Sequence, residues 1–539
     1  MKIAIAQINC TVGDFTGNVA KILDATNQAK QAGADLVITP ELALSGFPPL
    51  DLLLREAFCT TFQEALTNLV QKTTDITLLV GHPHYQDHKL FNAASIIRNG
   101  EIIATYHKNS LNNSPHFNEQ YYFDAGDQPC TFELSGMKFG VNICADFWKE
   151  HTVNRSLHHD IDILLVLSAS TFCINKQVSR YQITRQYIDE TGITVIHTNL
   201  VGGQDELVFD GASFVMDSHG TLTHQLGEFV EALGLVEIQD GQPATATLAP
   251  AQPSIASIYQ ALCLGVKDYI SKNNFPGVLL GLSGGVDSAL TLAIAVDALG
   301  ADKVQTVMMP SQYTADISQH DAYEMADSLG VRHNECSIKP LFDHFLNILA
   351  TELQILPGHS ETNTMPENLQ ARIRGTLLMA LSNQSGSIVL TTGNRSEMAV
   401  GYCTLYGDMA GGFAVLKDIS KTMVYQLCAY RNELGKTIPE RIIQRAPSAE
   451  LRPNQTDQDS LPPYEVLDAI IEAYIEKNLS PSEIIAMNYD ETDVRRVIHL
   501  IHINEYKRRQ APPGIHMTCA GFGKAWHYPI TAKYTNQDW

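Results

Sequence analysis

A chain of 539 residues exceeds what one hydrophobic core ordinarily organises, so two or more domains are expected. Its 37 basic and 59 acidic residues leave a net charge of −22, which excludes nucleic acid as a partner, because phosphate backbones are bound through surplus Lys and Arg. With 44% hydrophobic and 18% charged residues, no apolar run that would span a bilayer, and a first strand entered without a basic leader or cleavage site, the composition predicts a cytoplasmic globular protein with no membrane partner.

Residues 2–8 alternate or run apolar like a strand, residues 18–31 predict a helix, and residues 35–39 predict a second strand that ends in Pro40-Glu41. Further strands are predicted at 76–81, 93–98, 101–106, 138–143, 162–167 and 193–198, separated by helical stretches or by turns such as Asn99-Gly100 and Ser135-Gly136. The alternation is that of a layered α/β domain. Glu41, Lys108 and Cys144 each stand just past a strand. Together they suit attack on an amide: a carboxylate takes the thiol proton, and an ammonium steadies thiolate and oxyanion. Taken singly, a cysteine after a strand is more often a small buried hydrophobe.

Residues 241–254 read GQPATATLAPAQPS, a semi-extended linker. We expect domains at 1–245 and 257–539, joined through 246–256. The α/β alternation resumes with a helix from Ile255, strands at 305–310 and 387–392, and a helix at 316–329. Between the first of these helices and the strand at 305 lies Gly281-Leu282-Ser283-Gly284-Gly285-Val286-Asp287-Ser288, preceded by an apolar run and followed by a small-residue helix. Adjacent glycines, serine hydroxyls and a helix start form a cradle for phosphate. No Lys of a Walker loop follows, and Asp287 stands in the turn, where a carboxylate beside polyphosphate helps to hold Mg²⁺. Polar loops follow the strand at 387, and Lys507, Arg508 and Arg509 gather near the C-terminus. The ten cysteines contain no CxxC pair, so they read as reduced thiols with no zinc site. His499 and His502 share a helix face and read as structural.

Pro40-Glu41-Leu42, Tyr106-His107-Lys108 and Asn142-Ile143-Cys144-Ala145-Asp146-Phe147-Trp148, with Leu167-Ser168-Ala169-Ser170, resemble the motifs of the carbon-nitrogen hydrolase, or nitrilase, superfamily over residues 1–240. The resemblance implies an αββα sandwich, a Glu41-Lys108-Cys144 triad, Glu119 beside it, and Ser114, Ser170 and Lys176 for binding glutamine. The chain departs from the pattern at Asn112 and Ser114, where proline and tyrosine usually follow the lysine, and at Ala145. GLSGGVDS resembles the loop of the ATP-pyrophosphatases. With Asn368-Leu369-Gln370-Ala371-Arg372-Ile373-Arg374, TTGNRSE at 391–397, YGDMAGG at 406–412, Arg445-Ala446-Pro447-Ser448-Ala449-Glu450-Leu451 and KRRQAPPG at 507–514, residues 257–539 resemble the synthetase domain of NAD synthetases.

That resemblance implies a doubly wound parallel sheet of the adenine nucleotide α-hydrolase type. It implies ATP on Gly281, Leu282, Ser283, Gly284, Gly285, Val286, Asp287, Ser288, Thr392, Lys421 and Ser448, and Mg²⁺ on Asp287 and Glu397. Deamido-NAD is implied on Asn368, Arg372, Glu397 and Lys507. A lysine often found before the YGD word is Leu405 here. The activity implied is ATP-dependent amidation of deamido-NAD with ammonia from glutamine, through an adenylate, in a homo-oligomer acting on small molecules. The alternative is another glutamine-dependent ATP-pyrophosphatase with a different nucleotide acceptor.

Overall fold

The computed structural model describes residues 1–114, 116–148, 160–250, 252–355, 364–518, 521–522 and 526–532; Cys519 lies outside them. Alternation along each strand decides the layering of the first half. In β1 (Lys2–Gln7), Ile3 and Ile5 face one way, Ala4 and Ala6 the other, and all four are fully buried, so the strand is covered on both faces. The remaining strands of this half are β2 (Leu36–Ile38), β3 (Thr77–Gln86), β4 (Lys89–Arg98), β5 (Glu101–His107), β6 (Thr131–Leu134), β7 (Met137–Ile143), β8 (Ile163–Ser168), β9 (Thr194–Asn199), β10 (Val201–Gln204), β11 (Leu207–Asp210), β12 (Phe214–Met216), β13 (Leu222–Gln225), β14 (Ala232–Gln239) and β15 (Gln242–Pro243).

One sheet has the order β15-β14-β1-β2-β3-β4-β5 and a second β13-β12-β9-β8-β7-β6; β10 and β11 form a separate hairpin. Ile3, Ile5, Leu36 and Ile38 of the first sheet pack against Val141, Ile163 and Leu165 of the second. The outer face of the first sheet carries Ala4 and Val37 against Val19 and Ile22 of the helix Phe15–Gln31 and Leu69 of the helix Glu56–Lys72. The outer face of the second carries Leu164 and Val166 against Ile188 of the helix Lys176–Thr191. The layers are therefore α-β-β-α, in keeping with the sandwich expected. Both hairpin turns predicted from Asn99-Gly100 and Ser135-Gly136 have left-handed residues, with φ of +51° and +80°, and +53° and +78°.

Two compact units divide the chain, Met1–Ser257 and Ile258–Trp539. The stretch read as a linker is in part tied to the first unit: the amides of Ala244, Ala246 and Ala249 donate to Glu237, Thr223 and Gln225 carbonyls. Extended Ala and Thr between prolines still offer N–H groups to a sheet edge, which composition alone does not reveal. The helix Ser254–Lys272 then begins inside the expected linker.

In the second unit β16 (Val278–Gly281), β17 (Val304–Met308), β18 (Arg332–Glu335), β19 (Ile388–Thr391) and β20 (Phe413–Ala414) form a wholly parallel sheet of order β18-β17-β16-β19-β20. The chain winds outward from β16 to one edge and then resumes at β19 on the other side. The carboxyl ends of β16 and β19 therefore flank a crevice, where open α/β sheets take ligands. Behind the crevice, the helix Val286–Leu299 buries every residue from Ser288 to Ala295, so it is anchored on all sides. A helical cluster around Leu467, Ile471, Val497 and Ile501 packs on Met398, Ala399 and Val400 of the helix Arg395–Val400, and His502 is bonded there to the Tyr474 hydroxyl at 2.7 Å. Among the described residues no helix is long and apolar enough to cross a membrane.

Candidate active sites

In the first unit, Glu41 follows β2, Lys108 follows β5 and Cys144 follows β7. Glu41 and Lys108 are almost wholly buried and paired at 2.6 Å. The same ammonium reaches both oxygens of buried Glu119 at 2.8 Å. Asn92, inside β4, donates through its amide nitrogen to Glu41 and to Glu119, each at 2.8 Å. The Ala169 N–H, just past β8, donates to the second oxygen of Glu41 at 3.0 Å, and the Asn112 N–H to Glu119 at 2.6 Å. Three strand ends, the interior of β4, one loop and the start of the short helix Glu119–Tyr122 thus fix one lysine between two carboxylates.

Cys144 sits at φ +40°, a left-handed elbow that a non-glycine residue adopts at a cost of about 1–3 kcal/mol. Hydrogen bonds over-determine it. Its N–H donates to the Leu167 carbonyl at 2.9 Å, and its carbonyl accepts from Phe147 at 3.0 Å. Buried Asp146 accepts from the amides of Ile143, Asn109 and Ser110 and from the Tyr106 hydroxyl, tying the elbow to the segment after Lys108.

Burial pushes the Cys144 thiol up to about 12, the charges of Glu41 and Glu119 add to this, and Lys108 and Trp148 pull the other way. The resting sulfur therefore keeps its proton. Glu41 is raised too, first by burial, against the pull of Lys108, which makes it a stronger base than an exposed carboxylate. Burial opposes the charge on Lys108, but Glu41 and Glu119 more than offset it and hold the ammonium protonated. The arrangement has a thiol, a base to receive its proton, and a fixed cation for an oxyanion.

Of the three residues expected at glutamine, Ser170 is the one tied to this cluster. Ser170 is buried and directly follows the Ala169 amide on Glu41; its hydroxyl accepts from Arg180. Ser114 closes its own turn, accepting from the Phe117 amide at 3.1 Å. Lys176 opens the helix Lys176–Thr191, half-buried, with no carboxylate paired to it among the described residues.

In the second unit a cavity of about 510 Å³ lies at the crevice between β16 and β19. Its floor is the loop Gly281–Ser288. Gly284 has φ +77°, and a Cβ there would stand 2.2 Å from the Ser318 carbonyl oxygen, so only glycine fits. The Ser283 and Ser288 hydroxyls lie 3.0 Å apart and brace the turn, and the helix that starts at Val286 has no side-chain cap. Its first N–H groups are thus open to an anion.

Asn394 and Glu397 form a capping box at the start of the helix Arg395–Val400, and the Asn394 amide also donates to Asp287 at 2.9 Å. Buried Lys421 is paired with Asp287 and lies 3.6 Å from Glu397. Burial, then the neighbouring Asp287, raises Glu397 to about 8 against the pull of Lys421. Two carboxylates this close, one held well above its ordinary range, are hard oxygen donors short of positive charge. They fit Mg²⁺, which takes one or two carboxylates and completes its shell with water and phosphate. Among the described residues no group of three His, Cys, Asp or Glu is placed to hold a metal by itself.

Thr392, Ser448, Asn368 and Lys507 all line the cavity. Asn368 accepts from the Thr404 hydroxyl at 2.9 Å, and the Lys507 ammonium donates to the Gly401 and Cys403 carbonyls, holding the loop between them. Arg372 is exposed and outside the lining, its guanidinium bonded to the Leu405 carbonyl at 3.2 Å; Arg374, two residues on, lines the cavity instead. Arg374 stands in the same sequence word as Arg372 but was assigned no role, although two residues apart the arginines lie on different helix faces and only one can face the cavity. Asp457, also in the lining, and Asn92 lie in no motif.

The two halves match different families: residues 2–245 match the family model described as carbon-nitrogen hydrolase, and residues 258–511 that described as NAD synthase. Over its full length the chain is 45% identical to a glutamine-dependent NAD(+) synthetase of Acinetobacter baylyi, covering 100% of this chain and 99% of the relative. It is 40% identical to one of Thermotoga maritima, covering 99% of each. The solved structure of a glutamine-dependent NAD+ synthetase from Acinetobacter baumannii in complex with adenosine diphosphate is 43% identical, with a TM-score of 0.80 over 98% of both chains.

Proposed function

The chain belongs to the glutamine-dependent NAD(+) synthetases, and from that membership we propose how its residues divide the work. The enzyme is a ligase that forms NAD by ATP-dependent amidation of deamido-NAD with nitrogen from glutamine. In the domain 1–245, Glu41 takes the Cys144 proton as the sulfur attacks the glutamine amide carbon. Lys108 steadies the oxyanion. The proton passes to the departing nitrogen, ammonia leaves, and the γ-glutamyl thioester is hydrolysed by a water that Glu41 deprotonates. Ser114, Ser170 and Lys176 hold the amino-acid end of glutamine.

In the domain 257–539, the loop Gly281–Ser288 with Thr392, Lys421 and Ser448 holds ATP so that a carboxylate oxygen of deamido-NAD attacks the α-phosphorus. Pyrophosphate leaves, ammonia attacks the acyl adenylate, and AMP is released. Lys421, charged and buried, faces the negative charge of the transferring phosphate. Asn368, Glu397 and Lys507 serve deamido-NAD, and the arginine we assign to it is Arg374, which lines the cavity, rather than Arg372. Mg²⁺ held by Asp287 and Glu397 would neutralise the pyrophosphate leaving group.

The observation that carries this reading is one chain with both a buried Glu41-Lys108-Glu119 cluster at a left-handed cysteine and a glycine-floored cavity at a sheet's switch point. Incubation with ATP, Mg²⁺, deamido-NAD and glutamine is expected to yield AMP and NAD in equal amounts. Hydrolysis of glutamine with no AMP would contradict it. We also place the enzyme in the cytoplasm as a homo-oligomer. The free thiols of Cys59, Cys130, Cys144, Cys263, Cys336, Cys403 and Cys428 support a reducing compartment, and light scattering in solution measures the assembly.

A further inference from the structure

Arg180, in mid-helix, is among the largest fully buried side chains of the protein, and the chemistry above gives it no task. Every N–H of its guanidinium has an acceptor. Nη1 donates to Asp210 at 2.7 Å and to Gln177 at 2.8 Å. Nη2 donates to the other Asp210 oxygen at 2.9 Å and to the Ser170 carbonyl and hydroxyl at 3.0 and 3.1 Å. Nε faces the same hydroxyl at 3.3 Å.

Asn199 closes the ring. Its carbonyl oxygen accepts the Ser170 N–H at 2.8 Å, and its amide nitrogen donates to the Ser170 carbonyl and to Asp210, each at 3.2 Å. The segment after β8 is therefore gripped at the Ser170 amide, carbonyl and hydroxyl. One residue earlier, the Ala169 N–H is the donor on Glu41.

Two consequences follow from hydrogen-bond valence. A hydroxyl whose lone pairs face a guanidinium has only its proton left to give, so Ser170 presents a donor and no acceptor. The Ala169 N–H, set by the same grip, favours the ionised form of Glu41. We propose that Arg180, clamped by Asp210, is a positioning residue for glutamine hydrolysis: it keeps the Ala169 amide on Glu41 and turns Ser170 into a donor for a carbonyl or carboxylate oxygen of glutamine. This rests on the glutaminase assignment of Cys144.

The charged and titratable groups around Arg180 are Asp210, Glu228, Tyr181 and His197, of which Asp210 makes the ion pair. Those acting on Glu41 are Lys108 and Glu119, with Cys144 beside them. Lys108, Glu119 and Cys144 lie outside the helix of Arg180, so a change at Arg180 reaches Glu41 through the segment Ser168-Ala169-Ser170, which His197 also meets at the Ser168 hydroxyl at 3.0 Å.

The test is the pH profile of kcat/KM for glutamine in the full-length enzyme carrying Arg180→Lys, with Gln177→Ala as a milder variant that leaves the ion pair in place. For Arg180→Lys the expected results are a fall in kcat/KM of about 100-fold, the scale of an ångström misplacement, a higher KM for glutamine, and an acid limb moved to higher pH as Glu41 loses its amide donor. Gln177→Ala should move the limb the same way by less, and NAD formation from ammonium chloride should stay at the wild-type rate in both. An acid limb unmoved in both variants, whatever the loss of rate, overturns the proposal, because a structural role lowers the folded fraction without touching the base. If instead Cys144→Ala still forms NAD from glutamine, the glutaminase assignment fails and not the role of Arg180 alone.

Discussion

Glu397 shows what one side chain contributes to both stability and binding. Its folded value of about 8, set by burial and Asp287, lies above its ordinary 4.5, so between those values the folded protein holds a proton that the unfolded chain lacks. The stability this confers is complete below about pH 4.5 and is lost as pH rises through about 8. A divalent cation needs the ionised form. Binding of Mg²⁺ with ATP should therefore release a proton at pH 7 and tighten as pH rises towards 8, and Glu397→Gln should remove both effects. Calorimetry in buffers of different ionisation enthalpy counts the protons; none released at pH 7 by the wild type would contradict the shared Asp287-Glu397 site. Lys421 is the counterpart. Because it is the buried cation between these two carboxylates, Lys421→Ala should destabilise the unliganded second unit by about 3–5 kcal/mol in chemical denaturation. Loss below 1 kcal/mol would show that the carboxylates are neutral or solvated without it.

In the turn Gly281–Ser288, for which we propose a phosphate-cradling role, backbone shape decides more than side chains do. Gly284→Ala places a methyl 2.2 Å from the Ser318 carbonyl oxygen at a positive φ, so the turn must open. We expect NAD formation to fall about 100-fold or more with either nitrogen source, and ADP binding to weaken in parallel; a variant that binds ADP like the wild type would mean the loop does not cradle phosphate. The turn was legible because its residues are contiguous. So were most strands before residue 200 and those at 278, 304 and 388, whose apolar runs are local signals. The strands between 201 and 225 were not: they have three or four residues each, Gly202 and Gly203 interrupt the alternation, and their partners are set by tertiary pairing. Ala232–Gln239 pairs with Lys2–Gln7 across the length of the first unit, a contact no window of sequence contains. Asn92 and Arg180 were hidden for a different reason. A polar residue inside an apolar strand and an arginine inside a helix read as ordinary surface, and only the fold shows the first bridging Glu41 and Glu119 and the second gripping Ser170.

Across the whole molecule, a chain of net charge −22 handles substrates that are themselves anionic. The cavity does not reverse that sign, because Arg374, Lys421, Arg445 and Lys507 stand in its lining beside Asp287, Glu367, Glu397, Asp408, Glu450 and Asp457, so anionic groups are met by individual cations and open amides rather than by a positive field. We propose that the two units hold separate chemistries, a cysteine that frees ammonia and a phosphate cavity that consumes it. This division is tested most directly by measuring NAD formed by Cys144→Ala with glutamine and, separately, with ammonium chloride. The glutamine reaction should be abolished while the ammonium reaction proceeds at close to the wild-type rate, since Ser283, Asp287 and Glu397 are untouched; Glu41→Gln and Lys108→Ala should follow the same pattern. Loss of the ammonium reaction in a folded Cys144→Ala enzyme, or survival of the glutamine reaction, would contradict it.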